Sequence, residues 1–214
     1  MNRSKDSLQW TTKEEAYSII CKGILISDDD VTESSIWFSL DKNGKKCHML
    51  SAALIWRWEK KVLLPESRFG EACQLGDDSY IYVNTNVQSQ LVSSDTTYAC
   101  YLVYKIPTDQ SGFEAPVKME DKQRNFGDKI CYTYIYLSSP QTPVIRPKAG
   151  QNTHNPLNRP KIKSLPQQRN DGWIEVQIWE LRAATTIKMD LMFELCDDKK
   201  FSGLIIEGIE FRPI

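Results

Sequence analysis

The chain has 214 residues, of which 41% are hydrophobic and 26% charged, so it can fold as one domain of ordinary size with a full core. Its formal net charge is −1 at pH 7, which provides no field to attract nucleic acid or an anionic membrane surface. No stretch approaches the ~20 apolar residues needed to cross a bilayer, and the polar N-terminus leads into no signal peptide. We therefore expect a protein of the cytoplasm or nucleus with no membrane partner.

The six cysteines are dispersed, and none lies within three residues of another. Zinc sites usually draw on closely spaced Cys or Cys/His pairs, so we expect no metal and no other cofactor. Reduced, mostly buried thiols are the favoured interpretation, and a disulfide framework is the alternative. The usual catalytic motifs are also missing, and only two histidines, His48 and His154, could serve as a base for a nucleophile. We expect no enzymatic activity, although paired carboxylates for glycoside cleavage stay open.

The N-terminal segment predicts one short helix over residues 12–22. Thr12 and Glu15 have the spacing of a capping box, and Gly23 occupies the position of a C-cap glycine. The acidic run at 28–30 is predicted to be a solvated turn. We assign residues 1–34 to a leader that contains this helix.

From residue 36 onward the apolar residues follow the alternating period of strands. The segment 97–106 is apolar on both faces, which predicts a central strand covered on both sides. The apolar phase switches at Gly208, which predicts a β-bulge there. The pattern therefore predicts an all-β fold, an antiparallel β-sandwich or jelly roll with a short N-terminal helix. The predicted strands are 36–40, 47–50, 80–83, 97–106, 130–137, 172–181, 187–195 and 204–211.

One segment, 138–170, has the composition of a long exposed loop. It holds six of the ten prolines, six Lys or Arg residues and no acid. Binding of phosphate or nucleic acid, or nuclear import, is the open alternative. The basic residues are Arg146, Lys148, Arg159, Lys161, Lys163 and Arg169.

Aromatic residues are the main candidates for recognition. The chain has six tryptophans and nine tyrosines, and they are densest at Trp56-Arg57-Trp58. Indole rings can stack on the apolar faces of sugar rings, but they also fill the cores of β-sandwiches. Composition alone leaves both roles open.

Five stretches of the chain carry motifs that occur in the same order in one known family. They are 35–52, with Leu-Asp-Lys, Gly-Lys-Lys-Cys and Met-Leu-Ser-Ala; 64–72, with Leu-Pro-Glu-Ser-Arg-Phe; 96–105, with Thr-Tyr-Ala and Tyr-Leu-Val; 170–176, with Asp-Gly-Trp; and 202–213, with Ile-Glu-Gly-Ile-Glu. In these stretches the chain resembles the phloem protein 2 family of plant lectins. The resemblance reaches from about residue 35 to the C-terminus, so we predict a lectin domain over 35–214.

This resemblance implies binding of N-acetylglucosamine oligomers and N-glycan cores, so a glycan or glycoprotein partner is expected. In the branch concerned an F-box usually precedes the domain, and none is expected within this chain. The family also carries a tryptophan-containing loop that is shortened here, because Ala53-Leu54-Ile55 passes straight into Trp56.

The resemblance implies roles for three residues. Trp56 would stack on a sugar, Glu194 would accept hydrogen bonds from hydroxyls, and Trp58 would support them. A second family glutamate is absent near Thr185 and Thr186. The alternatives are that both tryptophans are core residues, and that the fold survives as a protein-interaction module without glycan binding.

Overall fold

A computed structural model of the protein describes residues 10–27, 34–77, 80–109, 113–124, 132–139, 162–182, 186–195 and 200–214. Two α-helices, α1 (Lys13–Lys22) and α2 (Ala52–Ile55), accompany fourteen strands in this part of the chain. The strands are β1 (Ile24–Ser27), β2 (Ser34–Leu40), β3 (Lys46–Ser51), β4 (Lys60–Leu63), β5 (Glu71–Gln74), β6 (Tyr80–Gln88), β7 (Thr97–Lys105), β8 (Val117–Asp121), β9 (Tyr132–Ile135), β10 (Ile162–Ser164), β11 (Gln167–Gln168), β12 (Ile174–Arg182), β13 (Thr186–Leu195) and β14 (Ile205–Pro213).

The strands form two sheets that pack face to face, which confirms the predicted all-β sandwich. The larger sheet has the order β1-β2-β3-β14-β7-β12-β11, and β5 pairs with both β14 and β4. The smaller sheet has the order β10-β9-β8-β13-β6, so β6 is an edge strand. Neighbouring strands are antiparallel except for β10, which runs parallel to β9.

The main core lies between the sheets and follows from the alternation of side chains along each strand. In β7, Tyr98, Cys100, Leu102 and Tyr104 point inward and are fully buried. They meet inward residues of β13, such as Phe193, in one apolar cluster. The other face of β7 is also covered, because Val103 belongs to a second cluster on the outside of the larger sheet. The prediction of a central strand is therefore confirmed.

Helix α1 begins and ends where the sequence predicted. The Thr12 hydroxyl accepts a hydrogen bond from the Glu15 amide at 3.1 Å, and the Gly23 amide donates to the Ile20 carbonyl at 3.0 Å. The following β1 lies within the predicted leader and pairs with β2 as an edge strand of the larger sheet. The division at residue 34 itself remains a prediction.

The predicted bulge at Gly208 is confirmed. The register between β14 and β7 shifts between Ile206 and Gly208. A Cβ atom at Gly208 would lie 2.0 Å from the carbonyl oxygen of Leu50, so close backbone approach as well as the bulge requires glycine there.

The structure describes only the two ends of the predicted basic loop, residues 138–139 and 162–170. Residues 140–161, including Arg146, Lys148, Arg159 and Lys161, lie outside the described residues, as does the acidic run at 28–30. The end at 162–170 departs from the expectation of an exposed loop, because it contains β10 and β11. The side chain of Arg169 is only 12% exposed, since it pairs with buried carboxylates instead of water.

Three cysteines, Cys47, Cys73 and Cys100, are buried free thiols, and Cys21 is an exposed one. Cys131 and Cys196 lie outside the described residues. Within the described ranges, no group of three or more His, Cys, Asp or Glu side chains is placed to hold a metal ion. Neither helix of the described chain has the length and apolar character that a membrane span requires.

Candidate functional site

A cleft of about 300 Å³ opens along the free edge of β6 and is termed the edge cleft. Strands β2 and β3, helix α2 and the residues after α2 form its opposite wall. Its lining is mixed, with four apolar and five polar residues. The apolar lining residues are Ile36, Leu50, Leu54 and Leu91, and the polar ones are Arg57, Asn84, Thr85, Asn86 and Gln88.

Helix α2 builds this wall from local sequence. The Ser51 hydroxyl caps it by accepting from the Leu54 amide at 3.3 Å, and the Trp56 amide closes its end by donating to the Ala52 carbonyl at 2.7 Å. This single turn carries Leu54 and Arg57 to the edge of the smaller sheet. The Arg57 guanidinium stays exposed.

Trp56 lies in the core and not in the cleft. Its ring is 8% exposed, and its indole N–H donates to the carbonyl oxygen of Tyr82 on β6 at 3.0 Å. An edge strand leaves backbone groups without a strand partner, and the indole satisfies one of them. Trp56 therefore has the packing and hydrogen bonding of a core residue and presents no open ring face.

Trp58 and Glu194 both lie at the surface. Trp58 is 97% exposed, one residue beyond Arg57 of the edge cleft. Glu194 points away from the core on the outer face of the smaller sheet, where its carboxylate lies 3.1 Å from the Lys118 ammonium. Because the Trp56 ring is buried, the fold does not present all three side chains together at an open site, and their predicted roles in binding remain predictions.

The residues that sequence reasoning missed are the amides of the cleft. Asn84, Asn86 and Gln88 continue β6 beyond the predicted strand 80–83. Their signal was present as a period-two pattern, because Val83 and Val87 are buried while Asn84 and Asn86 are exposed. Polar residues are tolerated at alternate positions of an edge strand, because one face of the strand contacts solvent.

The lining chemistry suits recognition of a neutral polar ligand. Amide side chains donate and accept hydrogen bonds, and the leucines offer an apolar floor. Arg57 is the one ionisable residue among the lining residues of the edge cleft. The lining therefore has no acid–base pair for catalysis.

A separate group of charges, the buried ion network, lies on the outside of the larger sheet. Arg169 pairs with Glu175 and Glu210, and Arg212 pairs with Glu175 at 2.6 Å. Arg68 lies 3.6 Å from Glu210, and its backbone N–H donates to Glu207 at 2.7 Å. The network connects the turns before β5 and before β12 to β14.

Burial and the neighbouring charges shift the pKa values of two members of the network, Glu207 and Arg169. Burial raises the pKa of Glu207, and the backbone N–H and charge of Arg68 oppose this in part. Burial by itself would lower the pKa of Arg169, but Glu210, Asp171 and Glu175 raise it overall. Arg169 is therefore a permanent cation that neutralises buried carboxylates, which is a structural role.

Comparisons with known proteins place the chain among plant relatives. The sequence model of one family, described as phloem protein 2, matches residues 38–213. F-box protein PP2-B10 of Arabidopsis thaliana is 29% identical over 218 residues, covering 95% of this chain and 72% of that protein. F-box protein PP2-B15 of the same plant is 26% identical over 236 residues, covering 100% of this chain and 79% of that protein. F-box protein At2g02240 is 27% identical over 223 residues, and the chain spans only 62% of its length.

Proposed function

Because the match from residue 38 to residue 213 shows that the chain belongs to the phloem protein 2 family, we propose that it is a non-enzymatic lectin-type module that binds N-acetylglucosamine oligomers or N-glycan cores. The observation that carries this proposal is the composition of the edge cleft. Its amides can exchange hydrogen bonds with sugar hydroxyls and acetamide groups, and its leucines can contact the apolar face of a pyranose ring. Inside the plant cell, in cytoplasm or nucleus, the ligand would be a glycan or glycoprotein.

Trp58 supplies the stacking ring of this proposal. The indole is almost fully exposed and follows Arg57, one of the lining residues of the cleft. A sugar held by Asn84 and Asn86 would extend toward this corner. Trp56 then acts indirectly, since it fixes the turn that presents Arg57 and Trp58.

Calorimetric titration with N-acetylglucosamine oligomers tests the proposal. Asn86→Ala and Arg57→Ala should each weaken binding by roughly threefold to tenfold, because each removes hydrogen bonds worth about 0.5–1.5 kcal/mol. Trp58→Ala should weaken it by a similar factor through loss of stacking.

Matched controls are Arg182→Ala and Trp10→Ala. Both residues are exposed, and neither lines the edge cleft. These two variants should bind as the intact chain does. Absence of binding by the intact chain would refute the proposed function.

One observation favours a second candidate, a protein-interaction module. Strand β4 pairs only with β5 among the described strands. The side chain of Trp58, in the turn two residues before β4, is 97% exposed, and that of Leu63, the last residue of β4, is 85% exposed. Exposed apolar residues along an open strand edge are typical of sites where another chain docks. The relatives are named F-box proteins, so a protein partner is part of this second candidate.

A glycoprotein treated with an N-glycan-removing enzyme separates the two candidates. A lectin no longer binds the glycoprotein once its N-glycans are removed. A protein-interaction module still binds the treated glycoprotein, and the Leu63→Lys variant of that module does not. Retention with intact Leu63 and loss in the variant would favour the second candidate.

A further inference from the structure

The outer face of the smaller sheet carries four tyrosines in a regular arrangement, termed the tyrosine face. The register of the strands places outward side chains in two rows across the sheet. Tyr80, Glu194, Lys118 and Tyr134 form one row, and Tyr82, Met192, Glu120 and Tyr132 form the next. Across these four strands each row therefore begins and ends with a tyrosine, and the fifth strand, β10, lies beyond β9, where Ile162 pairs with Tyr134.

Three of the four tyrosines are exposed to solvent, and Tyr134 is half-buried. Tyr80 is 57% exposed, and Tyr82 and Tyr132 are each 38% exposed. Because strands lie about 4.8 Å apart, the tyrosines of one row are separated by about 14 Å, and the two rows lie about 7 Å apart. These distances suit a ligand that is extended and crosses several strands.

The charges of the face favour an uncharged ligand. Its three described acids are Glu120, Asp190 and Glu194, and its three described lysines are Lys118, Lys122 and Lys188. Two of the lysines form ion pairs with two of the acids: Lys118 lies 3.1 Å from Glu194, and Lys188 lies 3.4 Å from Asp190. The formal charges cancel, so neither an anionic polymer nor a basic peptide is attracted.

Lysines lie over two of the rings. The Lys118 ammonium is 4.1 Å from the centre of the Tyr132 ring, and the Lys122 ammonium is 4.7 Å from that of Tyr82. Such contacts are weak at exposed sites, and the long lysine stems can swing aside. In the unbound chain each of these lysines therefore covers one face of its ring, and it would be displaced from that face by a stacking sugar.

The tyrosine face is continuous with the edge cleft through Asn84. This side chain lines the cleft, and its amide nitrogen lies 3.4 Å from the Tyr82 hydroxyl. The same hydroxyl donates to Asp190 at 2.6 Å. A line of polar groups thus leads from the cleft over β6 onto the outer face.

We propose that the tyrosine face binds the extended part of a neutral oligosaccharide whose terminal unit occupies the edge cleft. This inference rests on the proposed function and extends it from a terminal-sugar site to a long binding surface. The tyrosine rings stack on the apolar faces of successive sugars, and Glu194 and Glu120 accept hydrogen bonds from their hydroxyls. Glu194 thereby contacts the ligand from the outer face of the smaller sheet, whereas the Trp56 ring is buried in the core.

The experiment is a calorimetric length series of the di-, tetra- and hexasaccharides of N-acetylglucosamine. For the intact chain the affinity should rise with length, as more sugars reach the face. In Tyr80→Ala the hexasaccharide should bind roughly threefold to tenfold more weakly, the loss expected for one stacked ring. Its disaccharide affinity should not change, because Tyr80 does not line the cleft.

Two further variants complete the design. Tyr80→Phe keeps the aromatic ring, so its affinity should still rise with oligosaccharide length. This variant separates stacking on the ring from any role of the hydroxyl. Tyr17→Ala removes an exposed tyrosine from α1, which packs against the other sheet, and should bind every oligomer as the intact chain does.

The outcomes separate the two proposals. Equal affinity of the intact chain for all three lengths, or an undiminished gain in Tyr80→Ala, overturns the tyrosine face and leaves the cleft in place. If Tyr80→Ala weakens hexasaccharide binding and Asn86→Ala does not, the tyrosine face is supported. The same result overturns the edge cleft as the site of the terminal sugar. No binding at any length overturns both.

Discussion

At the scale of single residues, Trp56 shows how a residue matched to a binding tryptophan can serve the fold instead. Its ring packs between the sheets, and its N–H satisfies a carbonyl on the edge strand β6. Period and composition could not distinguish this role from stacking on a sugar. The difference depends on which neighbour lies above the ring, and β6 meets Trp56 only in the folded chain.

We expect Trp56→Phe to lower the free energy of unfolding by about 1–3 kcal/mol, since the Tyr82 carbonyl loses its partner in a partly buried position. Urea denaturation measures this change. Trp58→Phe is the control and should lie within about 0.5 kcal/mol of the intact chain, because that ring is exposed. Equal destabilisation by the two substitutions would contradict the structural role of Trp56.

His48 is a second residue whose environment sets a measurable property. Its imidazole is completely buried and stacks on Phe211, with ring centres 4.4 Å apart and planes 5° apart. Burial lowers its pKa to about 3 from the usual 6.5, and the backbone of Leu91 opposes this only in part. In the unfolded chain the same histidine takes up a proton near pH 6.5.

The folded chain therefore becomes less stable as the pH falls below 6.5, since protonation favours the unfolded state throughout the range down to about 3. The cost from His48 alone should rise from about 0.7 kcal/mol per pH unit at pH 6.5, where half of the unfolded chains are protonated, to roughly 1.4 kcal/mol per pH unit near pH 5. Urea midpoints measured across this range should show a shallower slope in His48→Leu. His154→Gln, which removes the other histidine, should keep the slope of the intact chain; an unchanged slope in His48→Leu would disprove the assignment.

At the scale of elements, the docking of α1 depends on a close contact between Gly23 and Trp37. Gly23 has φ +97°, and a Cβ atom there would lie 2.1 Å from the Trp37 ring. The ring cannot move freely, because the Arg68 guanidinium lies 4.7 Å from its centre. Glycine is needed at this position for both conformation and space.

Gly70 provides a matched comparison, since it also has a positive φ (+72°), but a Cβ atom there would have no other atom within 4 Å. Gly70→Ala should cost about 1–2 kcal/mol of backbone strain alone. Gly23→Ala should cost more and should increase hydrogen exchange in α1 and β1. Similar costs for both alanines, with α1 still protected, would show that the Trp37 contact is unimportant.

The elements also show where sequence reasoning succeeds. Helix α1 and the Gly208 bulge were predictable because capping residues, a glycine and a phase switch are local signals. Strands β4 and β5 were not predicted, because each has only four residues and little local signal. Strand β4 is ordered by pairing with β5, and β5 by pairing with β14, which is far away in the chain. The edge cleft was equally inaccessible, because α2 and β6 become neighbours only when the two sheets pack.

At the scale of the whole molecule, four of the five stretches that carry the family resemblance meet at one place. Arg68 comes from the second stretch, Glu175 from the fourth, and Glu207 and Glu210 from the fifth, and all four join the buried ion network. Trp37 of the first stretch stacks beside Arg68. The shared motifs therefore maintain the outside of the larger sheet, whereas the proposed binding surfaces lie at the edge and outer face of the smaller one.

Because the buried ion network lies apart from the proposed binding surfaces, a substitution in the network should lower the free energy of unfolding. It should not change the affinity for oligosaccharides. Arg169→Met deprives Glu210 and Glu175 of a partner inside a poorly hydrated cluster. The free energy of unfolding should fall by about 3 kcal/mol, near the lower end for a broken buried pair, because Arg68 and Arg212 still contact the same carboxylates.

Lys61→Met is the control, since it breaks a more exposed ion pair with Glu71 at 3.2 Å and should cost no more than about 1 kcal/mol. Oligosaccharide titration at a temperature where both variants stay folded should give the affinity of the intact chain. An Arg169→Met variant as stable as the intact chain would mean that the network does not hold the two turns to β14. A folded variant with weakened sugar binding would mean that the two surfaces are coupled through the sandwich.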